Sequence, residues 1–332
     1  MRALLSVGCA RLPNMAGVGP SYKLGKAAMA YWGIGLHLGR PRSQNAKGHL
    51  LGHVRDIGLD PNNPTHRKYA TNARQVFHTD SCDVVGLLCL KTAMSGGLSS
   101  LTSSVTLFNE LLKTRPDIAQ LLAEPWYIDR KGEVPPGKGE YYQMPIQHHH
   151  DGVVSTIFAR DFIDSCIRFP EVPAHTPQQK EALDYALELA NSDDLRLDME
   201  LRPGDMQFIH NHQLLHARTA YVVSARAHKR FVDNSVAEQM DARMLCAMMR
   251  VPAGLAGRGA QAALVAPVAV PADWTAPAGG VCRALRLGGD WQPRWHRRAG
   301  RNAQGEPRAG VKAQNRCTFY PLAGTLRLSL YL

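Results

Sequence analysis

A chain of 332 residues with 45% apolar side chains can bury one large core or two modest ones, and its formal net charge of +11 invites a nucleic-acid partner. The excess is uneven: from residue 241 onward 13 Arg and Lys stand against 4 Asp and Glu, so the basic character belongs mostly to a tail, and no reader motif accompanies it. Nucleic-acid binding is therefore not the expected function, and no stretch approaches the roughly 18 consecutive apolar residues of a membrane span.

Residues 1–35 are rich in Gly and weakly periodic, and little regular structure is expected there. The first 55 residues hold no Asp or Glu but several Arg and Lys, as an organelle transit peptide would. Serine is sparse among them. A short strand is expected around Gly48–Asp56, followed by the Pro- and Asn-broken loop Asp60–Pro64. Arg74–Phe77 reads as a strand end, and the apolar run Val84–Leu90 as a strand covered on both faces. Gly96-Gly97 marks a turn before the Ser- and Thr-rich stretch Ser99–Val105.

Helical spacing occupies Leu107–Leu112 and Asp117–Leu122, and Glu133–Gly139 is a Pro/Gly loop. His148-His149-His150-Asp151 is expected on a surface loop before a strand at Val153–Phe158, because consecutive strand residues cannot converge on one cation. Thr176 with Pro177 opens a helix running to about Ala190. Leu195–Leu201 alternates as a half-buried strand, Arg202–Asp205 turns, and Met206–His210 returns toward His216. Short strands with a few inserted helices suggest a β-sandwich or barrel decorated by helices.

The chemistry concentrates in His78-Thr79-Asp80. Residues i and i+2 of an extended chain point to one face, so the imidazole and the carboxylate can reach one cation. His216 supplies a partner imidazole far downstream. Two neutral imidazoles and one carboxylate leave three octahedral positions open, an arrangement suited to ferrous iron and oxygen chemistry rather than to a closed structural zinc site. Seven cysteines (Cys9, Cys82, Cys89, Cys166, Cys246, Cys282, Cys317) without a Cys-x-x-Cys pair read as reduced thiols of a cytoplasmic protein. Cys82 is expected to be buried and inert. Trp126, Tyr141, Tyr142 and Phe158 are core residues or pocket aromatics.

With His78-x-Asp80, Ser99 behind Gly96-Gly97, Arg202-Pro203-Gly204-Asp205-Met206-Gln207-Phe208, and the distal Asn211-His212-Gln213-Leu214-Leu215-His216, the chain resembles the TauD/TfdA-like Fe(II)/2-oxoglutarate-dependent oxygenases from Gly39 through Tyr221. The resemblance implies a mainly β double-stranded β-helix, or jelly roll, with inserted helices, short of strands at both ends. It divides the chain into a weakly structured segment 1–35, an oxygenase domain 36–230, and a basic, poorly folded tail 231–332. It implies iron held by His78, Asp80 and His216, 2-oxoglutarate as cosubstrate, O2, ascorbate as a reductant that keeps the iron ferrous, and a small-molecule substrate whose identity the sequence leaves open, as it does the oligomeric state. Decarboxylation of the cosubstrate to succinate would then drive hydrogen abstraction from a C–H bond.

The same resemblance implies a hydroxyl and an Arg for the far carboxylate of 2-oxoglutarate. Ser99 supplies the hydroxyl, unless it is only one member of the polar run with Ser100, Ser103 and Ser104. Arg230 lies nearest the expected place for the Arg, with Arg226 behind it, yet the family's Arg-His-Leu-x-Arg-Leu-Trp strand pattern is not recognisable after it. That loss, where the composition shifts, is what a changed reading frame or a misjoined exon would produce. His210, His212 and Arg218 are assigned to substrate contact or to orienting the ligands, with loop stabilisation as the other role for Arg218. The alternative to an active dioxygenase is an inactive or truncated descendant that keeps only a metal-binding scaffold.

Overall fold

A computed structural model describes residues 9–12, 24–45, 47–150, 153–223, 244–251, 295–298, 314–317 and 330–331. In chain order, the first half holds β1 (Cys9–Leu12), α1 (Leu24–Leu38), β2 (Arg40–Pro41), β3 (Leu51–Val54), β4 (Gln75–His78), β5 (Val84–Cys89), β6 (Ser95–Gly96) and β7 (Ser99–Ser103). Then follow α2 (Ser104–Thr114), α3 (Pro116–Leu122), β8 (Pro125–Asp129), β9 (Tyr141–Pro145), β10 (Gln147–His150), β11 (Val153–Thr156), α4 (Arg160–Asp164) and α5 (Pro177–Ala190). β12 (Leu197–Met199), β13 (Met206–His210), β14 (Leu214–Arg218), β15 (Tyr221–Val222) and β16 (Met244–Arg250) complete the unit formed by residues 1–285. A second unit, residues 286–332, contains one antiparallel sheet of Trp295–Arg298, Gln314–Cys317 and Leu330–Tyr331.

The first unit is mainly β, as expected. One sheet runs β1-β13-β5-β16, and the far edge of β16 is shared by β3 along Met244–Ala247 and by β2 at Met249–Arg250. A second sheet runs β12-β7-β14-β4. All strand pairs within both are antiparallel.

Alternation along the strands decides which side chains meet. Val84 and Leu88 of β5, with Leu245, Ala247 and Met249 of β16, pack against Ala27, Tyr31 and Leu38 of α1. Their neighbours Val85 and Met248 turn the other way and join Leu101 and Ile209 between the sheets. The continuous apolar run at Val84 follows from this double burial. In the second sheet, Phe77, Leu215 and Ala217 pack beneath α2, α3 and α5. Val76, His78, His216 and Arg218 occupy the alternate positions and line a cavity.

Three segments depart from the sequence expectation. Residues 24–38 form a helix because Ala27, Tyr31 and Leu38 fall on one face, and packing overrides the poor propensity of Gly33 and Gly35. That helix comes close to the sheet: a Cβ on Gly86 would stand 2.6 Å from the Tyr31 hydroxyl. Met244–Arg250, placed by sequence in the poorly folded tail, is instead a strand inside the first sheet, so the domain boundary at residue 230 does not hold. Its side chains are apolar on both faces, so no period-2 pattern marks it. His148-His149-His150 also differs: it lies in β10, paired to β11, with the His149 ring 4.6 Å from Phe108. Residues 224–243, which contain Arg226 and Arg230, lie outside the described residues.

Among the described residues no helix is long and apolar enough to cross a membrane. Among the described residues, Cys82, Cys166 and Cys246 are free thiols. The expected turn at Arg202–Asp205 is present, with Gly204 at φ 91° and the Asp205 carboxylate accepting from the Arg202 amide at 3.0 Å.

Candidate metal centre and cavity

β4 and β14 are neighbours, and their register sets His216 opposite His78. The two rings lie 4.1 Å apart between centroids. Thr79 turns away into the core, where its amide donates to the Phe158 carbonyl at 2.7 Å and its hydroxyl accepts from the Phe158 amide at 2.9 Å. That anchor leaves His78 and Asp80 on the cavity side. Asp80 Oδ2 stands 3.4 Å from His216 Nε2, and one ligand atom from each of the three residues lies within 4.8 Å of the others. Among the described residues this is the group of three or more His, Cys, Asp and Glu side chains that can hold a metal ion.

The donor set fits a divalent cation. His78 Nδ1 donates to the Val76 carbonyl at 2.9 Å, which fixes the tautomer and leaves Nε2 as a lone-pair donor. The Gln75 amide donates to that Nε2 at 2.9 Å and would have to yield it to an ion. Burial first, and the nearby His216 second, push the His78 pKa down to about 4, so the ring is neutral at ordinary pH. Burial alone would raise the Asp80 carboxyl. The His216 hydrogen bond and the electrostatic pull of His216, His78 and Arg67 outweigh it and hold the group well below the usual carboxylate range. His216 Nδ1 is buried without a hydrogen-bond partner.

The cavity has a volume of about 370 Å³. His78, Asp80, His216, Ser99 and Arg218 all line it. Ser99 faces Arg218 across the β7–β14 pair and is 5% exposed. Arg218 also ties down a loop: its guanidinium donates to the Thr71 and Ala73 carbonyls at 3.1 and 2.7 Å. His210 and His212 do not line the cavity. His212 Nε2 is 2.9 Å from Asp83 Oδ1, and burial pushes the His210 pKa down to about 4. Trp126, Tyr141, Tyr142 and Phe158 are likewise absent from its lining, with Trp126 and Phe158 in the core. Burial raises the Cys82 thiol far above its ordinary value, so it is inert.

Sequence reasoning passed over three features. Asn211 was read only as a member of the distal motif, yet its side chain holds the backbone of Asp80. Its place five residues before His216 was the available signal. Met244, Cys246 and Met248 of β16 form an apolar wall opposite the second sheet. Arg67, Lys68 and Lys131 bring cations to the cavity from outside both sheets, and nothing in their spacing announces it.

The model of the family described as Taurine catabolism dioxygenase TauD, TfdA family matches residues 2–232. FR-33289 synthase of Streptomyces rubellomurinus is 35% identical over 195 residues, which cover 57% of this chain and 56% of that protein. Taurine hydroxylase-like protein SAT17 of Stachybotrys chartarum is 30% identical over 214 residues, 60% of this chain and 53% of its own length. The chain thus spans about half the length of these curated relatives. An asparagine oxygenase, solved in complex with Fe(II), 2S,3S-3-hydroxyasparagine and succinate, has the same fold at a TM-score of 0.50 and 18% identity, over 75% of this chain and 78% of that one. With a family model matched over residues 2–232 and both halves of the His-x-Asp…His set inside the match, the chain belongs to the TauD/TfdA family.

Proposed function

We propose that this protein is an Fe(II)- and 2-oxoglutarate-dependent dioxygenase that hydroxylates a small molecule, on a double-stranded β-helix whose two faces are the two sheets. The convergence of His78, Asp80 and His216 in one cavity carries the reading. Ferrous iron with 2-oxoglutarate and O2 supplies the oxidising power for a C–H bond, with ascorbate as an accessory reductant.

The chain's own share is orientation and exclusion of water. His78 and His216 would bind through Nε2 and Asp80 through one carboxylate oxygen. Val76 keeps the His78 tautomer, and Asn211 keeps the Asp80 backbone in place. Ser99 is the proposed hydroxyl donor to the far carboxylate of the cosubstrate. Val85, Leu87 and the β16 wall keep water from the site. Arg243, which immediately precedes β16 in sequence, is the proposed guanidinium for that carboxylate in preference to Arg230. The segment Arg243-Met244-Leu245 supplies the basic residue and Leu spacing with which the family's strand begins.

The test is succinate release from 2-oxoglutarate by the purified chain with ferrous iron and ascorbate. Release that is lost in His216→Ala is expected. Silence of the wild type with iron binding preserved would overturn the reading in favour of a metal-binding scaffold.

A further inference from the structure

Four cations line the cavity from segments outside both sheets: Arg67 and Lys68 between β3 and β4, Lys131 in the turn between β8 and β9, and Arg160 in α4, which Asp164 and Asp184 pair at 2.6 and 2.7 Å. Arg67 is paired with Glu133 at 2.8 Å and Lys68 with Asp161 at 2.7 Å. Lys131 differs from all three. It is 8% exposed, its ammonium donates to the Pro64 carbonyl at 2.7 Å, and it lies 5.1 Å from the centre of the Phe162 ring. Among the described residues it has no carboxylate within 4.0 Å. The nearest opposing charges, Asp129 and Asp161, act on it from beyond contact distance, so no carboxylate touches this buried ammonium and an anionic ligand would supply a direct partner.

The backbone is committed to this placement. Lys131 has φ 49°, and among the described residues it is the non-glycine residue in the left-handed region. Its amide donates to Asp129 Oδ1 at 2.7 Å, and Asp129, 0% exposed, is fixed in turn by Arg168 at 3.0 Å and the Ser165 hydroxyl at 2.8 Å. An unfavourable backbone conformation that the surroundings hold this firmly is characteristic of ligand-contacting positions. Arg67 connects this corner to the metal ligands, since its charge reaches both Asp80 and Lys131. The Phe162 ring, 5.2 Å from the Arg67 guanidinium and also lining the cavity, offers an apolar surface beside the charges.

We infer that Lys131, flanked by Arg67 and Lys68, is the docking point for an oxyanion group (carboxylate, sulfonate, phosphate or phosphonate) on the small molecule that enters this cavity. The inference rests on the proposed oxygenase function for calling that molecule a substrate; the binding itself needs no turnover. The rival occupant of the corner is the far carboxylate of 2-oxoglutarate, whose proposed hydroxyl donor, Ser99, lies on β7 in the second sheet.

The experiment is calorimetric titration of the full chain, loaded anaerobically with ferrous iron, at constant ionic strength. The probes are acetate, methanesulfonate, inorganic phosphate and methylphosphonate, with the cosubstrate analogue N-oxalylglycine titrated separately. At least one oxyanion is expected to bind the wild type and to weaken about tenfold or more in Lys131→Met, while Lys131→Arg stays within about threefold. N-oxalylglycine affinity is expected not to change. No oxyanion binding by the wild type, equal binding by Lys131→Met, or weakening of N-oxalylglycine alone would each overturn the proposal. Should Lys131→Met fail to fold by thermal unfolding, Arg67→Met decides in the same way: a severalfold loss for the same oxyanion supports the site, and unchanged affinity overturns it. Lys131-dependent oxyanion binding in a chain that releases no succinate would uphold this site and refute the oxygenase reading, so the two fail separately.

Discussion

The side-chain amide of Asn211 brackets the peptide unit of Asp80: its Oδ1 accepts the Asp80 amide at 2.8 Å, and its Nδ2 donates to the carbonyls of Asp80 and, at 2.7 Å, Cys82. A fully buried residue 131 positions away therefore shapes the turn that presents a metal ligand. Asn211→Ala would leave a buried amide and two carbonyls without their partner, each unsatisfied group costing about 1–3 kcal/mol. Urea unfolding is expected to show a loss of about 3 kcal/mol or more. Metal titration should show affinity lowered roughly 10- to 100-fold, as for other groups that orient ligands. A variant that binds metal within twofold of the wild type would show that the turn holds its shape without the clamp.

Two imidazoles set the acid side of the stability curve. Burial, reinforced by a neighbouring histidine in each case, brings the His78 and His210 pKa values down to about 4. In the unfolded chain both titrate near the ordinary value of about 6.5. Between these limits the unfolded state binds more protons, so stability rises with pH through the window. The contribution is complete above about pH 6.5 and is lost as the pH falls toward 4, at about 1.4 kcal/mol per pH unit for each ring. Asp80, Asp83 and Asp129 are held below their ordinary values, so their contributions persist throughout this window and fade only at lower pH. Burial also lowers His53, His148, His149 and His175, so urea unfolding of the metal-free protein from pH 7 to 4.5 should give at least this slope, and His210→Gln should remove one ring's share of it, about 1.4 kcal/mol per pH unit. An unchanged slope in that variant would place the proton uptake elsewhere.

Thr176 offers a prediction confined to one helix. Its hydroxyl accepts from the Gln179 amide at 3.1 Å, and the Gln179 side chain returns the bond to the Thr176 amide at 2.9 Å, a complete capping box before Pro177. Thr176→Ala should cost about 1 kcal/mol in urea unfolding and leave metal affinity untouched. A change in metal affinity would mean that α5 transmits strain through Phe77 and Leu215 to the ligands on β4 and β14.

That helix and the His-x-Asp strand were legible because their signals are local: a cap with Pro behind it, and a period-2 alternation in which Thr79 and Phe77 go inward while His78 and Asp80 go outward. The pairing of His216 with them was legible only through the distal motif, since nothing local to residue 216 states its register against residue 78. α1 and β16 were not legible. The glycines of α1 weaken its helical signal, and its stability comes from a sheet whose strands lie up to some 200 residues later in sequence. β16 is apolar on both faces because one meets α1 and the other meets the cavity, which erases alternation. Lys131 was invisible for another reason: its importance lies in a left-handed φ and in burial, neither of which the Asp-Arg-Lys-Gly sequence specifies.

β16 also relocates the search for the cosubstrate's cationic partner. The strand enters the first sheet beside β5 and β3, and Met244, its first residue, lines the cavity. A planar guanidinium pairs well with a carboxylate when its approach is fixed. Arg243 is adjacent in sequence to this strand, whereas Arg230 precedes it by more than a dozen residues. Arg243→Gln is therefore expected to weaken N-oxalylglycine binding by about 10- to 100-fold, the range for a hydrogen-bonded charge partner, and Arg230→Gln by less than about threefold. Both substitutions remove one positive charge, so a general electrostatic effect would move the two affinities together. A large loss in Arg230→Gln with Arg243→Gln unaffected would return the role to Arg230 and remove β16 from cosubstrate recognition.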